Sequence, residues 1–279
     1  MRLGLVVNPQ IKDTLKKSYE VIEFLKEKNE LFITTELYKV IKDNIDLKNV
    51  TSARLNEFDS HGIEILITIG GDGTILRALH QFNGKIFGIN AGVVGFLTEV
   101  HMNDAVPSLK RILNKEYIID KRVKLETILN NKPLESATNE TVIHTSEIAK
   151  MRLYSIQVDG VKVQTIRADG IIIATPTGST SYAMSAGGPI LDPKVDAFII
   201  VPIAPFKLST RPLVVPSNSS ISVKLMEPKR KSVLVIDGQV QYEITPNDIV
   251  QFTKAKQSAE FIRFEPNFYR LIEEKLTSQ

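Results

Sequence analysis

Ile65-Leu66-Ile67-Thr68-Ile69-Gly70-Gly71-Asp72-Gly73-Thr74-Ile75-Leu76-Arg77 is the most informative stretch of this chain. Its first half is an apolar, β-branched run, the pattern of a strand buried on both faces. Two glycines, an aspartate and a third glycine break that run, after which Ile75, Leu76, Leu79 and Phe82 recur at helical spacing. The segment predicts a strand, a tight turn and an amphipathic helix. Glycines let the backbone approach a ligand closely, and the amides that open a helix suit phosphate. Asp72 stands among them, where a carboxylate is electrostatically awkward beside phosphate unless it meets a metal or takes a proton. Turn geometry alone requires no acid at that position. The stretch reads as a phosphoryl-transfer site, with a plain strand-to-helix turn as the structural alternative.

Towards the amino terminus, residues 3–7 predict a strand that stops at Asn8-Pro9. Residues 13–28 predict a helix with Leu15, Tyr19, Ile22, Phe24 and Leu25 on one face, and 31–35 a second strand. The Asn-rich piece 42–56 has no clear period. Beyond the central turn, 85–89 reads as a short strand followed by Asn90-Ala91-Gly92-Val93-Val94-Gly95-Phe96-Leu97-Thr98. Strands alternating with helices argue for a parallel, doubly wound sheet. Ligands gather beyond the carboxyl ends of such strands, where 70–74 and 90–95 both fall.

The texture changes near residue 101. A helix over 104–113 leads to strand-like patches at 123–129, 153–158, 170–174, 198–201, 220–225, 232–236 and 249–252. An amphipathic segment at 266–276 predicts a helix returning to the first domain. The expected fold is α/β, with an N-terminal doubly wound parallel-sheet domain (1–101 plus 265–279) and a mainly antiparallel β-rich domain (102–264). The triplet Lys229-Arg230-Lys231 reads as a solvated turn.

Composition narrows the chemistry. At 279 residues, with 43% hydrophobic and 24% charged, the chain has the make-up of an ordinary globular protein. A well-mixed net charge of +3 gives no electrostatic support to nucleic-acid binding. The absence of cysteine excludes disulfides, thiolate metal sites and a cysteine nucleophile. The first apolar run is too short for a signal peptide and nothing later approaches a membrane span, so a cytoplasmic protein with no membrane partner is expected. His61, His80, His101 and His144 lack metal-ligand spacing, and no residue is assigned as a metal ligand.

A second cluster follows. Arg167-Ala168-Asp169-Gly170 precedes an apolar run that ends in Thr175-Pro176-Thr177-Gly178-Ser179-Thr180-Ser181-Tyr182, and then Gly187-Gly188-Pro189-Ile190. Its hydroxyls, open amides and one flat ring could hold a base, a ribose and phosphates. A Ser/Thr-rich surface loop is the equal alternative.

Taken together and in this order, the clusters resemble the NAD kinases. The likeness rests on Gly70-Gly71-Asp72-Gly73-Thr74, Ile89-Asn90-Ala91-Gly92, Gly95-Phe96-Leu97-Thr98-Glu99 and Asn139-Glu140. It continues through Asp169-Gly170, the 175–182 loop, Gly187-Gly188-Pro189-Ile190, the 202–212 stretch and Asp237-Gly238-Gln239. Ser181 stands where the family usually has Ala, and Phe206 where it often has His.

The resemblance implies transfer of the γ-phosphate of ATP, with a divalent metal such as Mg2+, to the 2′-hydroxyl of the adenosine ribose of NAD, making NADP. It leaves inorganic polyphosphate open as an alternative donor. It puts Asp72 in the role of general base, with Gly70, Gly71, Gly73 and Thr74 around the phosphates. By the same likeness Asn139 and Glu140 hold the adenosine ribose or the nicotinamide end. Asp169 accepts from a carboxamide or amino group, with Arg167 near a phosphate. Thr180, Ser181, Tyr182 and Ser185 line the adenine and ribose pocket, with Thr177, Ala183 and Met184 in the same binding set. Arg77 and Lys150 either meet phosphates or are solvated charges, and Gln239 is placed in a strand closing the site. A homo-oligomer, dimer or tetramer, is expected, with a neighbouring subunit contributing to the pocket.

Four rivals are open to the residues, of which a Walker-type ATPase fails for want of Gly-x-x-x-x-Gly-Lys-Ser/Thr. A diacylglycerol-type lipid kinase shares the glycine turn but has no need of the 175–182 loop. A catalytically silent nucleotide sensor would require a damaged turn, yet Asp72 and its glycines are intact. A dehydrogenase would need Gly-x-Gly-x-x-Gly after the first strand, where Val7-Asn8-Pro9 stands instead.

Overall fold

The first third of the chain alternates strand and helix as its apolar periods require: β1 (Arg2–Val7), α1 (Thr14–Lys26), β2 (Glu30–Thr34), α2 (Thr35–Ile41), β3 (Val50–Ala53), β4 (Ile65–Gly70), α3 (Asp72–Leu79) and β5 (Lys85–Asn90). Then come β6 (Val100–His101), α4 (Ala105–Leu113) and β7 (Ile118–Arg122). The middle of the chain is a succession of strands: β8 (Leu125–Leu129), β9 (Lys132–Ala137), β10 (Glu140–Thr145), β11 (Arg152–Val158), β12 (Val161–Ala168) and β13 (Gly170–Ala174). A short helix, α5 (Tyr182–Ser185), precedes β14 (Ala197–Ile203), β15 (Leu213–Pro216), β16 (Ile221–Leu225), β17 (Ser232–Ile236), β18 (Val240–Ile244) and β19 (Ile249–Lys254). The chain closes with β20 (Ala259–Arg263) and α6 (Phe268–Ile272). This computed structural model describes residues 1–11, 14–27, 29–92, 95–227 and 231–277. The ends of the expected 13–28 helix, Val93 and Val94 of the 90–98 stretch, and Lys229 and Arg230 of the basic triplet lie outside the described residues.

Two compact units result, one formed by Met1–Lys121 with the chain from Ala259 onward, the other by Arg122–Ser258. The first carries an eight-stranded sheet in the order β3-β2-β1-β4-β5-β20-β7, with β6 alongside β5. Strands β3 to β5 pair in parallel, and β20 joins β5 in parallel. Every residue of β4 is buried. Ile65, Ile67 and Ile69 pack with Ile22 and Leu25 of α1 and with Leu109 and Ile112 of α4, while Leu66 faces Ile75, Leu76 and Leu79 of α3. Helices thus cover both faces, and each such side chain contributes about 1.5–3 kcal/mol by leaving water. The apolar face of α4 and the return of β20 carry this unit to Lys121 and bring it back at Ala259 rather than near 101 and 265. The tail is tied down by Leu271, 5% exposed, and by Phe264, whose ring meets Phe87 edge-on at 5.7 Å. Its helix is shorter than the 266–276 period suggests, since Glu273–Thr277 widens into a π turn.

The second unit holds two six-stranded antiparallel sheets, β15-β14-β13-β10-β17-β18 and β12-β11-β16-β19-β8-β9. They share one core, in which Ile143, Ile171, Ile173 and Phe198 of the first sheet pack with Tyr154, Ile156, Val223 and Phe252 of the second. Alternate residues of β13, Ile172 and Ala174, face the other way and pack under Ala183 of α5. That apolar contact seats the loop between Ala174 and α5 on the sheet. Among the described residues, no helix is long and apolar enough to cross a membrane.

Candidate functional site

The carboxyl end of β4 carries the first set of functional groups. Gly71 caps α3 with extended backbone, and Asp72 is the first helical residue. Gly70 has no room for a side chain, because a Cβ there would strike Thr74, itself buried. Gly71 and Gly73 differ: a Cβ on either would meet nothing within 4 Å, and neither has a positive φ. The fold does not require glycine at 71 or 73. A ligand lying against the turn would.

The Asp72 carboxylate does not hang free. One oxygen accepts the Phe96 amide at 2.7 Å and the other the Leu97 amide at 3.1 Å. Gly95 makes this seat possible, since a Cβ there would overlap the carboxylate itself. Asn90, 1% exposed at the end of β5, accepts the Gly92 amide at 2.6 Å and leaves its own buried amide nitrogen without a hydrogen-bond partner. Arg77 is exposed on α3 and lines a cavity of about 430 Å³ with Asn8, Gln10, Arg54 and Gln81, beyond the ends of β1 and β3. Among the described residues, no three His, Cys, Asp or Glu side chains converge as a metal cage.

The second unit holds the other set, in two places. At the start of β10, Asn139 and Glu140 are both 7% exposed. Asp237, held at positive φ in the Asp-Gly turn joining β17 to β18, accepts the amides of Thr138, Asn139 and Glu140 at 2.7, 2.8 and 3.1 Å. The 175–178 loop is strapped to the same point. Thr175 donates its amide to the Asn139 carbonyl at 2.9 Å and its hydroxyl to the Thr138 carbonyl at 2.6 Å. Gly178 lies so close to the Asn139 carbonyl that a Cβ cannot fit. Ser181 donates to Glu140 Oε1 at 3.3 Å. Glu140 Oε2 and Asn139 Oδ1 are buried with no hydrogen-bond partner. Buried polar atoms in that state are unusual and suit a ligand that would satisfy them.

Glu140 is electrostatically unusual. Burial, then the negative charge of Asp237, push its carboxyl up to about 8, against the smaller opposing effect of the Ser181 hydroxyl. Lys124, 8% exposed, is driven the other way by burial, with Asp237 opposing. Near neutrality Glu140 therefore carries a proton and can donate as well as accept.

The remaining expected residues divide. Tyr182 is 41% exposed with its ring free on the surface, and Ser185 is exposed beside it. Thr177 accepts from Arg122 at 3.4 Å and Thr180 donates to the Thr177 carbonyl at 3.3 Å, so these hydroxyls also shape the loop. Met184 is half-buried, and Ala183 is wholly buried in the apolar contact beneath α5, with no side-chain surface for a ligand. Gln239 is exposed in the turn before β18 rather than in a strand, because Asp237 and Gly238 both adopt positive φ there.

Arg167, Asp169 and Lys150 sit apart from these. Glu140 lies opposite Ala174 and His144 opposite Gly170, so Asp169 is at the far end of β13, about 20 Å of extended chain from Thr175. Arg167 pairs with Glu227 at 3.4 Å, and Lys150 with Glu147 at 2.6 Å. Asp237 and the main-chain amides of Phe96 and Leu97 contribute without a role readable from sequence. The Asp-Gly turn signal locates Asp237; main-chain donors leave no sequence mark.

Comparisons with known proteins follow the same division of the chain. Residues 3–117 match the family model described as ATP-NAD kinase N-terminal domain, and 138–264 that described as ATP-NAD kinase C-terminal domain. The NAD kinase of Methanothermobacter thermautotrophicus is 43% identical, with 99% of this chain and 96% of that one covered. The NAD kinase of Methanosarcina acetivorans is 37% identical over 99% and 98%. A solved NAD kinase from Archaeoglobus fulgidus in complex with ATP superposes with a TM-score of 0.75 at 29% identity, covering 98% of each chain. Yeast NADH kinase complexed with NADH superposes at 0.92, covering 100% of this chain and 89% of that one; at 23% identity that likeness bears on the fold alone. The diacylglycerol-type lipid kinase reading draws no support from any of these.

Proposed function

The chain belongs to the NAD kinase family, and from that membership we propose that Asp72 is the general base for transfer of the γ-phosphate of ATP to the 2′-hydroxyl of the adenosine ribose of NAD. The observation that carries the reading is the carboxylate held by two amides beside glycines that the fold itself does not need. A ribose hydroxyl is a poor nucleophile near neutrality, and a fixed base within hydrogen-bond reach takes its proton as the bond to phosphorus forms. The open backbone at Gly71 and Gly73 and the amides opening α3 suit the donor phosphates. Arg77, with Arg54 and Gln10 along the neighbouring cavity, gives the donor a cationic border. Asn139, neutral Glu140, Ser181, Tyr182 and Ser185 hold the dinucleotide, with Asn139 Oδ1 and Glu140 Oε2 finding their missing partners on its ribose or amide groups.

Magnesium fits this donor set as a companion of the nucleotide phosphates, because it keeps several waters and needs only one or two carboxylates. Asp72 has lone pairs left after its two amide bonds. When bound, the ion would neutralise charge on the phosphates; ATP, rather than polyphosphate, is the donor we propose. The proposal also includes a cytoplasmic homo-oligomer in which Arg167 and Asp169 of one copy serve the dinucleotide of another, since they lie at the opposite end of β13 from Asn139 and Glu140. A purified chain that sediments as a monomer while fully active contradicts that part. The reaction itself is tested by incubating the protein with ATP, magnesium and either NAD or diacylglycerol. NADP is the expected product, and a phosphorylated lipid in its place refutes the reading.

Three variants probe the parts. Gly73→Ala leaves the fold intact and gains up to about 1 kcal/mol of helix propensity, yet raises KM for ATP about tenfold, because the new methyl enters the space reserved for phosphate. Steady-state kinetics beside a thermal melt separate the two effects. Tyr182→Ala weakens NAD binding by about 1 kcal/mol with little change in kcat, as expected for a lost stacking face and read by calorimetric titration.

Glu140→Gln has a pH signature. The folded-state carboxyl is raised from 4.5 to about 8, so the folded protein binds the extra proton, and stability falls as pH climbs from about 4.5 to 8. The amide variant escapes that loss. Its Tm exceeds that of the parent by roughly 10–20 °C at pH 9, on the order of 5 kcal/mol, and the difference vanishes near pH 5. A pH-independent difference contradicts the assignment.

A further inference from the structure

Among the described residues, the most heavily buried ion pair of the first unit lies behind the turn that carries Asp72. Arg263, at the end of β20, and Glu99 are 2% and 4% exposed in their side chains, with Arg263 Nη1 3.0 Å from Glu99 Oε2. Removing one partner of such a pair leaves a charge stranded in the interior, so both are fixed in place. The two terminal nitrogens of Arg263 also turn to carbonyls of the 95–99 segment. Nη1 donates to the Thr98 carbonyl at 3.0 Å and Nη2 to the Phe96 carbonyl at 3.4 Å. Glu99 in turn accepts the Phe264 amide at 2.8 Å and the Asn267 side chain at 3.2 Å, and Asp120 stands 3.7 Å from Arg263 Nε.

The peptide group joining Phe96 to Leu97 is held from both sides. Its carbonyl accepts from Arg263, and its N–H donates to Asp72 Oδ1 at 3.1 Å. Hydrogen bonds in series polarise one another, so a guanidinium on the carbonyl side strengthens the amide as a donor to the carboxylate. Gly95 adds its own brace by donating to Thr98 Oγ1 at 3.2 Å.

We propose that Arg263, clamped by Glu99, which Asn267 holds in turn, is a positioning residue for the reaction: it fixes the 96–97 peptide, and that peptide holds Asp72 in reach of the ribose hydroxyl. The inference rests on the reading of Asp72 as the base. A strand contributed by the last part of the chain thereby sets the geometry of a turn almost two hundred residues earlier (Asp72 to Arg263).

The test compares Arg263→Gln, Glu99→Gln and Asp72→Asn in the full chain, with Arg263→Lys as the conservative control. Arg263→Gln is expected to lower kcat about a hundredfold, the usual effect of a reacting group displaced by about 1 Å, while the Kd for NAD stays within about twofold. The Phe96 and Leu97 amides should exchange with deuterium at least about tenfold faster than in the parent. Lys restores charge but not the fork to two carbonyls, so Arg263→Lys should recover kcat only in part. Should Arg263→Gln not fold, Glu99→Gln is read by the same kcat, Kd and exchange measurements. Wild-type kcat in Arg263→Gln alongside an inactive Asp72→Asn overturns the proposal and leaves the base assignment standing. Wild-type kcat in Asp72→Asn overturns the base assignment, and the proposal with it. Parallel loss of kcat and NAD affinity, unchanged exchange at 96 and 97, or failure of both glutamine variants to fold reduces the pair to a structural bridge and refutes the positioning role.

Discussion

Asp72→Asn lowers kcat by about two to four orders of magnitude while the Kd for NAD stays within about twofold. The substitution keeps volume and shape, so Gly95 still passes over the side chain as it does in the parent. The seat changes chemically. Phe96 and Leu97 both offer N–H donors, and an amide presents only one oxygen, leaving its NH2 facing a donor at the other position. The variant can neither take the proton of the 2′-hydroxyl nor keep the orientation imposed by two amides. The groups proposed to hold NAD, Asn139, Glu140 and Tyr182 among them, are untouched, and for that reason affinity is expected to survive. Turnover close to that of the parent removes Asp72 from the base role.

Gly95→Ala is expected to cost about a hundredfold in kcat without disturbing NAD affinity. Space is the obstacle: its Cβ would coincide with the Asp72 carboxylate, and either the loop or the carboxylate must move by an ångström or so. Since the 96–97 peptide is pinned by Arg263, the carboxylate is the part that gives way. Gly73→Ala provides the contrast, with open space at its Cβ and a defect confined to the donor. A Gly95→Ala enzyme with unaltered kcat shows that Asp72 works without its seat.

The turn after β4 is legible in the sequence because a strand buried on both faces must be apolar throughout, and Gly70, Gly71, Asp72 and Gly73 interrupt it abruptly. The same logic makes β13 visible. It fails for β12, whose residues Val161–Arg167 are mostly exposed and carry a mixed pattern, and for β9 and β18 at the sheet edges. Helix α2 escapes notice because β2 runs straight into it, with the Thr34 hydroxyl accepting the Leu37 amide at 3.4 Å and no turn residue between them. β20 is hidden for another reason: its partner β5 lies about 175 residues earlier, and long-range pairing has no local signature.

The proposed site residues follow the same division. Asp72 and Tyr182 stand out in their motifs, while Asn139 and Glu140 are singled out only by the resemblance. Thr175, Thr177, Ser179 and Thr180 look like ligand donors in sequence, yet much of their hydrogen bonding is spent on holding the loop together. Arg263 reads as one more surface charge until its burial and its carbonyl partners are seen.

The most direct measurement is a structure of this protein with NAD bound. The distance of interest runs from the Asp72 carboxylate to the 2′-oxygen of the adenosine ribose. A separation of about 2.6–3.2 Å, direct or through one water, with the Phe96 and Leu97 amides still on the carboxylate, is the predicted result. A ribose that turns its 2′-hydroxyl elsewhere, with Asp72 beyond the reach of one bridging water, contradicts the assignment of this carboxylate as the base.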